Sequence, residues 1–92
     1  MPVELTARRF LIRGRVQGVG YRYFAQKAAA AEKVSGYARN LEDGSVEVYA
    51  LGTAEQLSRY AGSLRTGPSF SDVRSVEVQE AAIENYKGFQ IR

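Results

Sequence analysis

Apolar residues along the chain alternate with polar ones in some segments and recur at helical spacing in others, which separates predicted strands from predicted helices. In residues 6–13, Phe10 and Ile12 fall on one face of an extended segment, the pattern of a strand buried on one side. In residues 21–33, aromatic residues and alanines recur every three or four positions, which predicts an amphipathic helix. The same criteria predict the remaining elements: strands at 34–41, 46–51 and 73–78, a second helix from Thr53 to about Arg65, and a short final strand at 89–92.

Turn and cap signals separate these elements. Asp43-Gly44 lies between two extended runs and predicts a hairpin. Gly52 ends the third strand, and Thr53 followed three positions later by Gln56 fits a capping box, which predicts the start of the second helix. The resulting order is β-α-β-β-α-β, with a possible short fifth strand.

This order predicts an α+β fold of the ferredoxin-like, split βαβ type, in which two helices cover one face of a mostly antiparallel sheet. The 92 residues suffice for one small core, so residues 1–92 are expected to form a single domain. No apolar run approaches the roughly 18 residues of a membrane span, and Met1 to Thr6 lacks the pattern of a signal peptide. The expected location is therefore the cytoplasm, with no membrane partner.

Composition excludes several kinds of chemistry. The chain has no cysteine and no histidine, which excludes disulfides, thiolate nucleophiles, imidazole or thiolate metal sites and histidine acid–base catalysis. The formal net charge is +3, and five arginines lie between Arg8 and Arg22. This concentration of positive charge indicates an anionic partner, either a small phosphate compound or a nucleic acid.

The glycine-rich stretch Gly14–Arg22 joins the first strand to the first helix. Unpaired backbone N–H groups and the positive end of a helix dipole favour an anion there, and glycines let the backbone approach it closely. Arg22 falls in the first helical turn, where the dipole disfavours a cation by about 0.3–1 kcal/mol, and its side chain leans back over the loop. A bound dianion would relieve this conflict, so the stretch is a candidate phosphate site. Neither the P-loop spacing nor the dinucleotide-binding spacing is present.

Asn40 has two interpretations at this stage. It lies at the end of the second strand, just before a turn, where asparagine commonly hydrogen-bonds to nearby backbone. Alternatively, the loop after the first strand and the end of the next strand come close in a βαβ unit, and an amide there could orient a water toward the bound anion. Position along the chain leaves both interpretations open.

The two segments together resemble the signatures of the acylphosphatase family. Gly14-Arg15-Val16-Gln17-Gly18-Val19-Gly20-Tyr21-Arg22 is similar to the pattern G-x-V-Q-G-V-x-[FY]-R. Gly36-Tyr37-Ala38-Arg39-Asn40, followed by Asp43-Gly44-Ser45-Val46, resembles the second pattern of that family. The departures are mild: Tyr21 stands where phenylalanine is common, Ala38 where valine is common and Phe70 where proline is frequent. Because the chain ends at Arg92, the resemblance favours a standalone enzyme.

The resemblance implies hydrolysis of the carboxyl–phosphate bond of acyl phosphates to carboxylate and inorganic phosphate, without metal or cofactor. It also implies that Arg22 binds the phosphoryl group and that Asn40 positions the attacking water. Inorganic phosphate is expected to be the product and a competitive inhibitor, and the protein a monomer without a nucleic-acid partner. Backbone N–H groups of the loop are expected to cradle the phosphoryl oxygens; the loop residues assigned to phosphate binding are Val16, Gln17, Gly18, Val19, Gly20 and Tyr21.

The alternative is a basic ferredoxin-like module that binds RNA or phosphate without turnover. Gly36-Tyr37-Ala38 resembles a fragment of the RNP1 motif of RNA-binding domains, although the aromatic residues that would follow are missing. Salt dependence separates the two functions, since RNA binding through several phosphates weakens steeply with salt and a single-phosphate pocket does not.

Overall fold

The structure, a computed structural model, describes residues 4–92. The single-domain prediction for residues 1–92 and the interpretation of the first six residues both include residues 1–3, which lie outside the described part. The elements along the chain are β1 (Leu5–Arg15), α1 (Tyr21–Glu32), β2 (Ser35–Asn40), β3 (Val46–Thr53), α2 (Ala54–Thr66), β4 (Asp72–Ala81) and β5 (Phe89–Ile91).

The five strands form one sheet in the order β4-β1-β3-β2-β5. Neighbouring strands are antiparallel, except that β5 runs parallel to β2. Side chains of α1 and α2 enter the same core as Phe10, Ile12 and Val48, so both helices lie on one face of the sheet. The predicted ferredoxin-like α+β fold is confirmed, and the fifth strand is present as a short edge strand.

The core on the helical face follows the sequence pattern closely. Phe10 and Ile12 are fully buried, as the alternation in β1 predicts. The capping box of α2 is also confirmed, since Thr53 Oγ1 accepts from the Gln56 N–H at 3.1 Å and Gln56 Oε1 accepts from the Thr53 N–H at 2.9 Å. The capping box therefore fixes the start of α2 directly after β3.

The opposite face of the sheet carries a second, smaller apolar cluster. Tyr37 and Tyr49 stack with ring centroids 5.7 Å apart, and Tyr86 packs edge-on against both rings. The Tyr49 hydroxyl donates to the Ala82 carbonyl and accepts from the Glu84 N–H, each at 2.7 Å. The segment between β4 and β5 therefore crosses this face, because those strands occupy opposite edges of the sheet.

Three strands extend beyond their predicted bounds. β3 does not end at Gly52 but continues to Thr53, because both residues pair with β1. β1 continues through Gly14 and Arg15, and β4 spans Asp72–Ala81 rather than 73–78. Both strands are longer because they pair with each other on either side of a register shift at Arg13/Gly14. Backbone pairing of this kind needs no apolar side chain, so the hydrophobic pattern does not reveal it. None of the helices described in residues 4–92 is long and apolar enough to cross a membrane.

Candidate functional site

The loop between β1 and α1 is built for close approach of a ligand to its backbone. Gly18 and Gly20 adopt φ angles of 75° and 77°, which side-chain-bearing residues rarely adopt. Gly20 is the N-cap residue of α1, and no side chain caps the first N–H groups of this helix. The first turn of α1 also carries no acidic residue. The positive end of the helix is therefore left for an external anion.

A cavity of about 210 Å³ opens in front of this loop. It is formed where the loop, the first turn of α1, the end of β2 and β5 meet. The structure thus brings Arg22 and Asn40, which are far apart in the sequence, to the same cavity. The lining residues are Val16, Gly18, Gly20, Tyr21, Arg22, Tyr23, Asn40 and Ile91.

Arg22 is held by a main-chain oxygen rather than by an acidic side chain. Its Nη1 atom donates to the backbone oxygen of Arg92 at 2.8 Å, and the Arg92 N–H donates to the Ala38 carbonyl at 2.9 Å. Ala38 lies two residues before Asn40 in β2. This chain of hydrogen bonds fixes the guanidinium relative to the strand that carries Asn40. The remaining guanidinium donors can bind an anion in the cavity.

The turn after Asn40 is closed by other residues. Asp43 Oδ1 accepts hydrogen bonds from the backbone N–H of Ser45 at 3.0 Å and from the Ser45 hydroxyl. These bonds hold the pKa of Asp43 below its ordinary value of 3.8. The Leu41 N–H pairs with the Ser45 carbonyl at 2.9 Å. The turn-capping role that an asparagine at this position commonly has is performed by Asp43, and Asn40 lines the cavity.

Gln17 and Val19 do not line the cavity. Gln17 Nε2 donates to the carbonyls of Leu41 at 2.8 Å and Ser45 at 2.9 Å, so its side chain ties the loop to the β2–β3 hairpin. Val19 packs against the core of the helical face. Any contribution of these two residues to phosphate binding would come from their backbone N–H groups.

Tyr21 combines a buried ring with a specific hydrogen bond. The residue is 1% exposed, and its hydroxyl donates to the Leu64 carbonyl in α2 at 2.6 Å. Burial raises the pKa of this phenol well above its ordinary value, so it stays neutral. The Leu64 carbonyl needs such a partner because residue 68, four positions later, is Pro68 and has no N–H. The hydroxyl that Tyr21 adds in place of the common phenylalanine therefore caps α2.

Three residues at the cavity were absent from the sequence prediction. Tyr23 and Ile91 line it, and Arg92 accepts the hydrogen bond from Arg22. In the sequence, the position of Tyr23 directly after Arg22 was the signal that could have identified it as a site residue. For Ile91 and Arg92 the sequence shows a short final strand, but its parallel pairing with β2 is a property of the sheet order.

The fragment of an RNP1-like pattern has a structural explanation. Tyr37 is 6% exposed and packs between Tyr49 and Tyr86, with the Arg92 guanidinium 4.4 Å from its ring centroid. A ring covered in this way is not available for stacking on a base. The feature that suggested RNA binding is thus part of the smaller apolar cluster.

This fold and cavity define a class: a small α+β sandwich with a candidate oxyanion site at a strand–loop–helix junction. The profile of the acylphosphatase family matches residues 8–91, and the chain belongs to this family. Its function is the hydrolysis of acyl phosphates, which makes it an enzyme acting on a small phosphorylated substrate.

Comparisons with individual proteins support the same family membership. The chain is 62% identical to an acylphosphatase of Solibacter usitatus over 86 residues, covering 94% of this chain and 90% of that protein. It is 51% identical to an acylphosphatase of Thermus thermophilus, with coverage of 88% and 92%. The crystal structure of acylphosphatase from Bacillus subtilis superposes with a TM-score of 0.91 at 37% identity, covering 97% of this chain and 99% of that one.

Proposed function

We propose that the cavity at the β1–α1 loop is the active site for acyl phosphate hydrolysis, with Arg22 and Asn40 as its catalytic residues. The observation that carries this proposal is that Arg22 and Asn40 line one cavity in front of a helix N-terminus without a side-chain cap. Backbone N–H groups of residues 16–21 bind the phosphoryl oxygens together with the Arg22 guanidinium. The Asn40 amide holds a water in line with the bond to be broken.

The chemistry requires little beyond positioning and charge stabilisation. In phosphoryl transfer the charge spreads over the equatorial oxygens of a loose transition state, which fixed donors stabilise. The leaving group is a carboxylate, the conjugate base of an acid with a pKa of about 4, so it departs without a general acid. A protein without histidine or cysteine can therefore perform the reaction. Among residues 4–92, no group of three acidic residues is placed to hold a metal ion.

The decisive experiment measures benzoyl phosphate hydrolysis with a chelator present. Wild-type protein is expected to turn over, and Asn40→Ala is expected to lower kcat by about 10²-fold or more, since a misplaced nucleophile costs about that much. The inhibition constant of inorganic phosphate, a proposed competitive inhibitor, should change little because Asn40 holds water rather than phosphate. Asn85→Ala, at an exposed position in the segment between β4 and β5, is the matched control. Full activity of Asn40→Ala would refute the assignment.

The domain organisation, oligomeric state, location and partners of the protein are part of the same proposal. We assign a single domain over residues 1–92, a monomeric state, a cytoplasmic location and no nucleic-acid partner, on the strength of the sequence arguments and the family membership. Sedimentation at several protein concentrations tests the monomer. Titration with RNA at low and high salt tests whether the protein binds nucleic acid. Tight binding that weakens with salt would overturn the assignment of no nucleic-acid partner.

A further inference from the structure

The cavity has an apolar outer wall that phosphoryl binding does not use. Tyr23 and Ile91 line it with exposed fractions of 60% and 42%. Large, exposed apolar side chains at a polar pocket are typical of a surface that contacts a ligand. They lie beside the two polar side chains, Arg22 and Asn40, to which the reaction is assigned.

The two elements that carry these side chains, α1 and β5, are in contact with each other. Gln26, one turn after Tyr23, donates through Nε2 to the Phe89 carbonyl at 3.0 Å, so this side of the helix faces β5. Ile91 is two residues beyond Phe89 and pairs with Ala38 in β2. Tyr23 and Ile91 therefore stand on the same outer side of the cavity, at the edge of the sheet.

The size of the cavity leaves room for more than a phosphoryl group. Its volume of about 210 Å³ is many times the roughly 10–15 Å³ that a cavity needs to hold one water molecule. A phosphoryl group with its bridging oxygen has five heavy atoms. A substituent on that oxygen has space next to Tyr23 and Ile91.

The Tyr23 ring is also restrained. The Lys27 ammonium, one turn further along α1, lies 5.7 Å from the ring centroid, within the range of a cation–π interaction. A restrained ring loses less conformational freedom when it contacts a ligand. It is therefore a better binding surface than an exposed tyrosine without such a contact.

We propose that Tyr23 and Ile91 form an acyl subsite, which selects acyl phosphates with an aromatic or bulky apolar acyl group over acetyl phosphate. This inference rests on the proposed location of the active site. The phosphoryl end binds at the loop and Arg22, and the acyl group extends outward against the tyrosine ring and the isoleucine side chain. Burial of apolar surface and ring–ring contact favour the larger acyl group.

The test compares kcat/KM for benzoyl phosphate and acetyl phosphate in wild type, Tyr23→Ala and Ile91→Ala. The benzoyl-to-acetyl ratio is expected to fall about 10-fold in Tyr23→Ala, the size of discrimination that small apolar contacts provide, through a raised KM for benzoyl phosphate. Ile91→Ala should lower the same ratio less. Tyr23→Phe should retain the ratio, because the ring rather than the hydroxyl makes the contact.

The matched control is Phe70→Ala, which removes an aromatic ring that is 78% exposed and does not line the cavity. It should leave both rates unchanged. If wild type hydrolyses both substrates and neither Tyr23→Ala nor Ile91→Ala alters the ratio, the acyl subsite is refuted while the proposed function stands. If wild type hydrolyses neither substrate, the proposed function fails, and the subsite fails with it.

Discussion

The Nε2 atom of Gln17 donates a hydrogen bond to the carbonyl oxygen of Leu41, the residue next to Asn40, at 2.8 Å. A second hydrogen bond from the same amide to Ser45, at 2.9 Å, makes the contact bidentate. The proposed phosphate loop and the proposed water-positioning residue are therefore fixed to each other by one side chain. The geometry of the proposed site depends on this link as well as on the residues that touch substrate.

Replacement of Gln17 should lower kcat by displacing Asn40. We expect Gln17→Ala to lower kcat by roughly 10-fold to 100-fold, the cost of a small misplacement at a reacting centre. In an Asn40→Ala background the same change should have little further effect on kcat, because the group that it positions is already absent. A double-mutant cycle measured with benzoyl phosphate tests this coupling. Additive losses would show that Gln17 acts independently of Asn40.

Arg22→Ala should lower turnover and phosphate affinity together. The guanidinium is proposed to bind the phosphoryl group in both ground and transition states, and removal of one preorganised donor typically costs about 10²–10³ in rate. The inhibition constant of inorganic phosphate should rise in the same variant, unlike in Asn40→Ala. Arg74→Ala, on the exposed edge strand β4, provides the control for loss of one positive charge. If Arg22→Ala and Arg74→Ala changed turnover and phosphate inhibition equally, the overall positive charge of the protein would explain the effect rather than a contact made by Arg22.

The pH–rate profile is expected to be flat around neutrality. The chain has no histidine, and burial raises the pKa of the Tyr21 phenol at the cavity far from this range. No side chain assigned to the reaction therefore changes charge there. Steady-state rates measured across the neutral range check this, and a bell-shaped profile within it would reveal an acid or base outside the proposed set.

Tyr21→Phe should destabilise the fold while sparing chemistry. Removal of the hydroxyl leaves the Leu64 carbonyl without its partner at 2.6 Å, in a helix end where Pro68 supplies no N–H. An unsatisfied buried acceptor costs about 1–3 kcal/mol. Urea unfolding of the variant measures this loss, with the exposed Tyr23→Phe as control. An unchanged free energy of unfolding would mean that another donor replaces the hydroxyl.

Acid should weaken the hairpin beside Asn40. The hydrogen bonds from Ser45 hold the pKa of Asp43 below its ordinary 3.8, so the ionised form is favoured in the folded state. The stabilisation is complete above the ordinary pKa and is lost as the pH falls through the lower, folded-state pKa. The difference in unfolding free energy between wild type and Asp43→Ala should therefore shrink below about pH 4. A difference that does not depend on pH would show that this carboxylate does not contribute through its charge.

The elements of the fold were predictable because their signals are local. Alternation in β1, the alanine stripe in α1 and the capping box at Thr53 each depend on residues a few positions apart. The extended ends of β1 and β4 were not predictable, since they depend on pairing between residues 57 to 74 positions apart in the chain. The tyrosines of the smaller apolar cluster were equally ambiguous, because their burial depends on the segment that crosses the second face.

The sequence by itself determined the order of the elements and the glycine-rich loop before α1. It also identified Arg22 and Asn40 as candidate site residues. These follow from backbone preference, periodicity and motif, which neighbouring residues set. The tertiary structure decided which side chains share the cavity. Sheet order places β5 beside β2, and this adds Ile91 and the Arg92 backbone oxygen to a site that β1, α1 and β2 begin. The tertiary structure also directs the Gln17 amide to the β2–β3 hairpin, where the Leu41 and Ser45 carbonyls accept its hydrogen bonds.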